Sequence, residues 1–449
     1  MSIRDKTVLS PSLDYQKLEY SGSTLGFRKT VPISPADFTI SPTTISEQFI
    51  EINAERVFNF SKSHLVWLQS TDAGGAVGRF NWLYEDSISP IGEVDLTTQS
   101  GTKLMQLRWA QNFTQMVRKV MTPFAEYESL SRIHRLYKSN ALGTAVSGIR
   151  PSNAPGDVHY IENAYLQVGG DNVATTQYCM VPLSAYKHNI VALDKLQFFG
   201  ETLTLRLGFG PGAKVGYYGT SAANPTTGAT ALAVDTTISG LSLYLATEED
   251  PELVNKIKEH VNKGGLTMLC PLVTGYRKGF AASTNQISTY TFKQGFQHPK
   301  YLQRVYHSVY SATENSNTAY DHSNSTGAKK INSYTTSVKG NKRHQFDLNC
   351  ADTSRLDYMA NQRFLKGTCI VSASIYDHNW MHIDDFTNFP ALSEAPSPAP
   401  LDNQEAGLRF DPEIEWSFDA STANIASTHY TYTVTLGTLK IHPGATQWL

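Results

Sequence analysis

The sequence is short of charge, of paired cysteine and of long apolar runs, and each shortage removes a class of protein. Asp, Glu, Lys and Arg make up 17% of 449 residues, against about a quarter in ordinary globular chains. The formal net charge is -2, and residues 1–20 hold only Arg4, Lys6 and Lys17 as cations. A wrapper of single-stranded nucleic acid needs many cations to replace phosphate counterions, so direct nucleic-acid binding is not expected. The four cysteines (Cys179, Cys270, Cys350 and Cys369) are far apart and lack the CxxC pairing of a zinc site. Buried free thiols are the expectation. No run of 18 apolar residues occurs, so no spanning helix is expected. MSIRDKTVLS holds no apolar signal-peptide core. Synthesis in a reducing cytoplasm follows as an expectation, and the sequons at Asn112 and Asn324 then carry little weight.

What the sequence does have is tyrosine, threonine and period-two alternation. Uncharged polar faces with aromatic anchors suit β-sheets and protein–protein contacts. In ETLTLRLGF, Leu203, Leu205, Leu207 and Phe209 point one way while Thr202, Thr204 and Arg206 point the other, the mark of a sheet with one buried face. LSLYLA repeats this with Leu241, Leu243 and Leu245 inward. In HYTYTVTLGTLKIH, Tyr430, Tyr432, Val434 and Leu436 share a face. About eight strand candidates fall in each half. A mostly parallel α/β sheet would need a helix of a dozen residues between strands, and those helices are missing.

Two helical segments stand out. QNFTQMVRKVM places Phe113, Met116, Val117, Val120 and Met121 at spacings of three and four, one face of a helix across a sheet edge. DPELVNKIKEHVNKGG carries every local signal. Asp250 is an N-cap and Pro251 suits the first helical position. Leu253, Val254, Ile257 and Val261 form a stripe, and Gly264 suits the left-handed position at the end. That stripe must be buried, so the helix is expected to pack against both halves. A third short helix is expected in RLDYMANQRFLK. The division reads as an N-terminal arm over 1–45, a first unit over 46–249, a linking helix over 250–264 and a second unit over 265–449.

No segment carries a catalytic signature. In YDHNWMHIDDF, His378, His382 and Asp384 share strand parity, and two histidines with a carboxylate suit a divalent ion. On one strand, however, they span about 20 Å, too far for one ion unless the chain bends. Gly208, Gly210, Gly212 and Gly216 lack the GxxxxGK[ST] pattern, and the residues that follow alternate as a strand, so no helix N-terminus awaits a phosphate. A hairpin turn is expected there. Neither GxSxG nor HExxH occurs. Lys187, Lys195 and Lys214 do not make a basic groove. Phe198, Phe199, Tyr217 and Tyr218 read as core or subunit contacts rather than stacking platforms. Catalytic, cofactor-binding and metal residues are all expected to be absent, and the chain is not expected to be an enzyme.

Two strand-rich halves, a short linking helix and long loops near 138–157, 218–237, 312–331 and 392–405 together resemble the double jelly-roll major capsid proteins of tailless phages and large DNA viruses. QNFTQMVRKVM and RLDYMANQRFLK resemble the helix found between late strands of each roll in that class. The resemblance implies an all-β chain of two consecutive eight-stranded jelly rolls. It also implies homotrimers whose six upright rolls make a pseudo-hexagonal tile of an icosahedral shell. Its partners would be identical subunits, neighbouring capsomers, minor capsid or vertex proteins and, in membrane-containing members, an internal membrane. The site of action would be the virion, after synthesis in the host cytoplasm. Two alternatives remain at this stage: a viral spike or minor capsid protein, and a two-domain β-sandwich enzyme or glycan-binding protein. Against the latter, His64, His134, His159 and His188 are scattered and make no paired cluster.

Overall fold

The computed structural model describes residues 24–40, 43–71, 78–82, 90–121, 166–168, 175–210, 216–218, 230–231, 236–280, 286–292, 301–311, 331–338, 341–342, 348–349, 381–386, 408–409, 414–420, 427–442 and 444–449. The first half runs through β1 (Leu25–Thr30), β2 (Phe38–Ile40), β3 (Ser46–Ile52), β4 (Phe58–Thr71), β5 (Gly78–Trp82), β6 (Ile91–Thr98) and β7 (Lys103–Arg108) to helix α1 (Ala110–Met121). It continues through β8 (Leu166–Val168), β9 (Thr175–Pro182), β10 (Leu203–Phe209), β11 (Gly216–Tyr218), β12 (Thr230–Ala231) and β13 (Thr236–Glu248), then enters helix α2 (Pro251–Gly264).

Two sheets close the first half, with orders β1-β13-β4-β9 and β3-β10-β6-β7, and β2 adds to β13. Counting only these eight principal strands along the chain, the orders are 1-8-3-6 and 2-7-4-5. That is the wrapped antiparallel pattern of a jelly roll. The alternation read from sequence holds: Leu203, Leu205, Leu207, Phe209, Leu241, Leu243 and Leu245 all lie in the core. The first unit starts earlier than residue 46, because β1 is an edge strand paired with β13 from Leu25↔Glu248 to Thr30↔Leu243.

A smaller sheet of order β12-β11-β5-β8 draws its strands from three separate connections, those after β4, after α1 and after β10. The expected hairpin over 208–216 is therefore corrected. β10 pairs with β3 and β6, whereas β11 pairs with β12 and β5. The chain leaves the core sheet there and enters the loop sheet.

The second half contains β14 (Leu266–Phe280), β15 (Gln286–Phe292), β16 (Tyr301–Ser311), β17 (Ile331–Val338), β18 (Asn341–Lys342), β19 (Leu348–Asn349), β20 (His382–Asp385), β21 (Leu408–Arg409), β22 (Ile414–Ala420), β23 (Ser427–His442) and β24 (Ala445–Trp448). Its sheets have orders β14-β23-β16-β20 and β15-β22-β17-β18. Counted by the same rule, these are again 1-8-3-6 and 2-7-4-5. The chain is therefore two jelly rolls in succession, with few helices among the described residues.

Helix α2 joins them as its local signals dictate. Asp250 Oδ1 accepts from the Glu252 amide at 2.8 Å and the Leu253 amide at 3.3 Å. Leu253, Ile257 and Val261 are buried, and the helix touches both β13 and β23. The left-handed residue is Gly265 (φ 69°) rather than Gly264. A Cβ on Gly265 would come within 2.8 Å of His442 Nδ1 and 2.9 Å of the Ile441 carbonyl. The helix thus runs one residue further before the chain turns into β14.

Candidate functional site

The most elaborate constellation among the described residues is the seam between the two rolls. It starts with the last residue of β7. Arg108 ends that strand and Ala110 opens α1, so a single residue, Trp109, must redirect the chain, and it does so at φ 51°. The other non-glycine residue with a left-handed backbone among the described residues, His188 at φ 57°, also lies at the seam. Left-handed backbone costs an L-residue about 1–2 kcal/mol, and here the packing on both sides fixes it.

Aromatic side chains fill the seam. Phe113 of α1 lies 6.2 Å from the Tyr306 ring and 5.0 Å from the Tyr432 ring, centroid to centroid. Trp109 meets Tyr430 edge-on at 5.8 Å. The Tyr432 hydroxyl donates to the Trp109 carbonyl at 3.1 Å, with Asn112 Oδ1 a second acceptor at 3.3 Å. The Tyr306 hydroxyl and His188 Nε2 are hydrogen-bonded at 2.8 Å. Burial holds His188 well below the ordinary histidine range, with Arg304 and Lys187 adding to the effect, so this contact is made by a neutral ring. Gly275 of β14 permits the close approach: a Cβ there would lie 2.9 Å from the Tyr432 ring and 3.3 Å from the Arg108 carbonyl. Trp448 Nε1 donates to the Lys103 carbonyl at 2.9 Å, and Thr102 Oγ1 donates to the Thr446 carbonyl. These two bonds tie β24 to the turn between β6 and β7. The apolar core runs unbroken from one roll through the seam into the other.

The face of β23 read from sequence therefore has an unexpected destination. Tyr430 and Tyr432 are buried, but against the first roll. The opposite face turns into the second roll, and from His429 to Thr435 it is polar. Thr431 Oγ1 and His307 Nδ1 are hydrogen-bonded at 2.7 Å. His307 sits opposite His382 across the β16–β20 ladder. His382 Nε2 lies 3.2 Å from Asp384 Oδ1. Thr336, from the facing sheet, donates to Asp384 Oδ2 at 2.7 Å. Burial is the first cause that pushes His307 down to about 3, followed by the neighbouring His382, while Asp384 pulls the other way.

Of the metal-like stretch, His382 and Asp384 share this interior face and His378 lies outside the described residues. Among the described residues no three His, Cys, Asp or Glu side chains are grouped to hold a metal ion. Cys179 and Cys270 are buried free thiols, and burial raises the Cys270 thiol well above its usual range. Cys350 and Cys369 lie outside the described residues. So do most of the four long loops, the expected helix in RLDYMANQRFLK, Lys214 and the side chains of Tyr217 and Tyr218. Phe198 and Phe199 are core residues. No helix among the described residues is long and apolar enough to cross a membrane.

The two outer faces of the first roll differ in chemistry. On the sheet β3-β10-β6-β7, Arg206 donates to Asp95 at 2.6 Å, to Glu93 at 2.9 Å and to Glu47, while Arg108 pairs with Glu93 and lies 3.6 Å from Asp95. Hydrogen bonding to Arg206 holds the Glu47 carboxyl below its usual range. On the sheet β1-β13-β4-β9 the outward side chains include Phe27, Leu68 and Tyr178, all exposed.

No protein-family model matches the sequence, and no curated protein matches it. Solved structures do match. A chain of the PBCV-1 virus capsid superimposes with a TM-score of 0.56 over 96% of this chain and 97% of that one, at 11% identity. A chain of the Sputnik virophage gives 0.59 over 96% and 89%, at 11% identity. The Faustovirus major capsid protein gives 0.51 over 94% and 91%, at 9% identity. At these identities the likeness defines the fold. The chain has the double jelly-roll fold.

Proposed function

We propose that this chain is the major capsid protein of an icosahedral virus and that it associates as trimers, six rolls making one pseudo-hexagonal tile. The observation that carries the reading is the repetition of one strand order, 1-8-3-6 over 2-7-4-5, in both halves, joined by an aromatic seam. Similarity over more than nine-tenths of both chains to the PBCV-1 capsid chain and to the Faustovirus major capsid protein supports it. The role is structural, and no residue is asked to perform chemistry. Residues 250–264 separate the two rolls in this reading. Partners are identical subunits, neighbouring capsomers and the minor or vertex proteins of the virion, with an internal membrane beneath in membrane-containing relatives of the fold. The chain is made in the host cytoplasm and acts in the virion.

Light scattering on the purified chain tests the reading. Particles of three times the 49.7 kDa chain mass, which electron microscopy resolves into hexagonal tiles, are the expected result. A chain that stays monomeric at micromolar concentration contradicts it.

A further inference from the structure

Buried histidine is confined to one sheet of the molecule. Among the described residues His188, His307, His382 and His429 are buried, and all four pack on β14-β23-β16-β20. His188 meets the outer face of that sheet through Tyr306. The other three share its inner face. His382 on β20 and Thr431 on β23 lie directly opposite His307 on β16, one on each side, and His429 is two residues along β23 from Thr431. Cross-strand partners of this kind hold their Cβ atoms about 4.5–5.5 Å apart. One acid among the described side chains faces these rings. Asp384 Oδ1 is 3.2 Å from His382 Nε2, and Asp384 Oδ2 accepts from Thr336 of the facing sheet. Asp385 points the other way, its Oδ1 3.7 Å from Arg304 Nε on the outer face. The remaining described histidines, His64, His260 and His442, are not buried.

We propose that the His307–His382 pair makes β20 an acid-released edge strand, closed at neutral pH and freed from β16 as the pair takes up protons. β20 is the element suited to open. It is four residues long, lies at the edge of its sheet and, among the described residues, is paired along one side only, to β16. A short edge pairing opens locally at lower cost than the fold as a whole. In the closed form both rings are sealed from water. A proton on each would set two cations side by side against the single carboxylate of Asp384, a costly arrangement in an interior. In the open form the rings meet water, where histidine takes up a proton near pH 6.5. Protons therefore bind the open form in preference, and acid shifts the balance toward it. In the shell of the capsid reading, on which this consequence rests, the wall loosens in an acid compartment and holds at neutral pH.

Amide hydrogen exchange on the full chain, expressed as protection relative to a free amide at the same pH, tests the release. His307 alone should lower the protection of β20 about thirtyfold between pH 7.5 and 5.0. Protection in β6 and β10 of the first roll should change by less than about threefold. An equal fall in both rolls, or none in β20, overturns the proposal. The double substitution His307→Gln, His382→Gln keeps polar side chains at both positions and should abolish the response. His260→Gln, on the exposed side of α2, should leave it in place. Should the double variant fail to fold, the comparison of β20 with β6 and β10 in the unaltered chain decides alone. Light scattering at pH 7.5 keeps this test apart from that of the capsid reading. A chain that forms trimers but shows no acid response in β20 loses the release and keeps the capsid reading. A chain that stays monomeric while β20 opens in acid keeps the release and loses the capsid reading.

Discussion

At the scale of single residues, the second roll stores its polar groups in an unusual place. His307 is buried inside the sandwich and pushed down to about 3 from an ordinary 6.5. The sign follows directly. Above pH 6.5 both folded and unfolded chains hold it neutral. Below that, the unfolded chain takes up a proton that the folded one refuses, so stability falls as pH falls and levels off near pH 3. Between pH 7.5 and 5.0 this one group removes about 2 kcal/mol. Urea unfolding of His307→Gln at the two pH values is expected to show that difference shrink by a similar amount, and an unchanged difference would discount the group. Gly275 makes a second residue-scale prediction. Gly275→Val drives a branched side chain into the Tyr432 ring and the Arg108 carbonyl, and overpacking of this kind costs about 1–3 kcal/mol. Gly279→Ala, in open space on the same strand, should be near neutral in the same thermal melt. None of this was legible in the sequence. A histidine's partner across a ladder and a glycine's neighbour in another roll are contacts of distant segments, and no local spacing encodes them.

Among elements, those with strong periodicity or punctuation were legible. β10 and β13 alternate because one face meets core and the other meets water or a neighbouring strand. α2 was readable down to its cap, and Asp250→Ala should cost about 1 kcal/mol by thermal denaturation, since two amides lose their acceptor. α1 was legible as a helix with Phe113, Met116 and Val117 inward, but the sequence reading had it lying on a sheet edge rather than wedged between rolls. β1 was missed for a physical reason. An edge strand with exposed Phe27, Arg28 and Lys29 has no buried stripe to read, and its order comes from β13. β23 was legible as a strand with a shared aromatic face, but not which neighbour that face would meet. Both of its faces are buried, so alternation of tyrosine with threonine marks two interiors of different chemistry rather than an inside and an outside.

For the molecule as a whole, the shared core predicts coupled unfolding. The apolar cluster is continuous across the seam, and α2, β24 and the α1 aromatics each bridge it. Calorimetry should give a single transition for the unaltered chain. Phe113→Ala removes the ring that touches both Tyr306 and Tyr432 at a cost of about 3–5 kcal/mol, and should split that transition in two. The double architecture was legible from two strand-rich halves about one helix. The loop sheet that gathers β5, β8, β11 and β12 was not, because its strands are two to five residues long and come from three connections.

The aromatic side of β23, turned outward from its own roll, is made after the surface it meets. The first roll emerges from the ribosome with a leucine-lined interior of its own. The second emerges with Thr431 and His307 on the inner face of its seam-side sheet and Tyr306, Tyr430 and Tyr432 on the outer one, and that outer face is covered once its predecessor stands ready. Pulling the halves apart after a protease had nicked the connecting helix would bare oily surface on both pieces, Phe113 on the N-terminal one and the tyrosines on the C-terminal one.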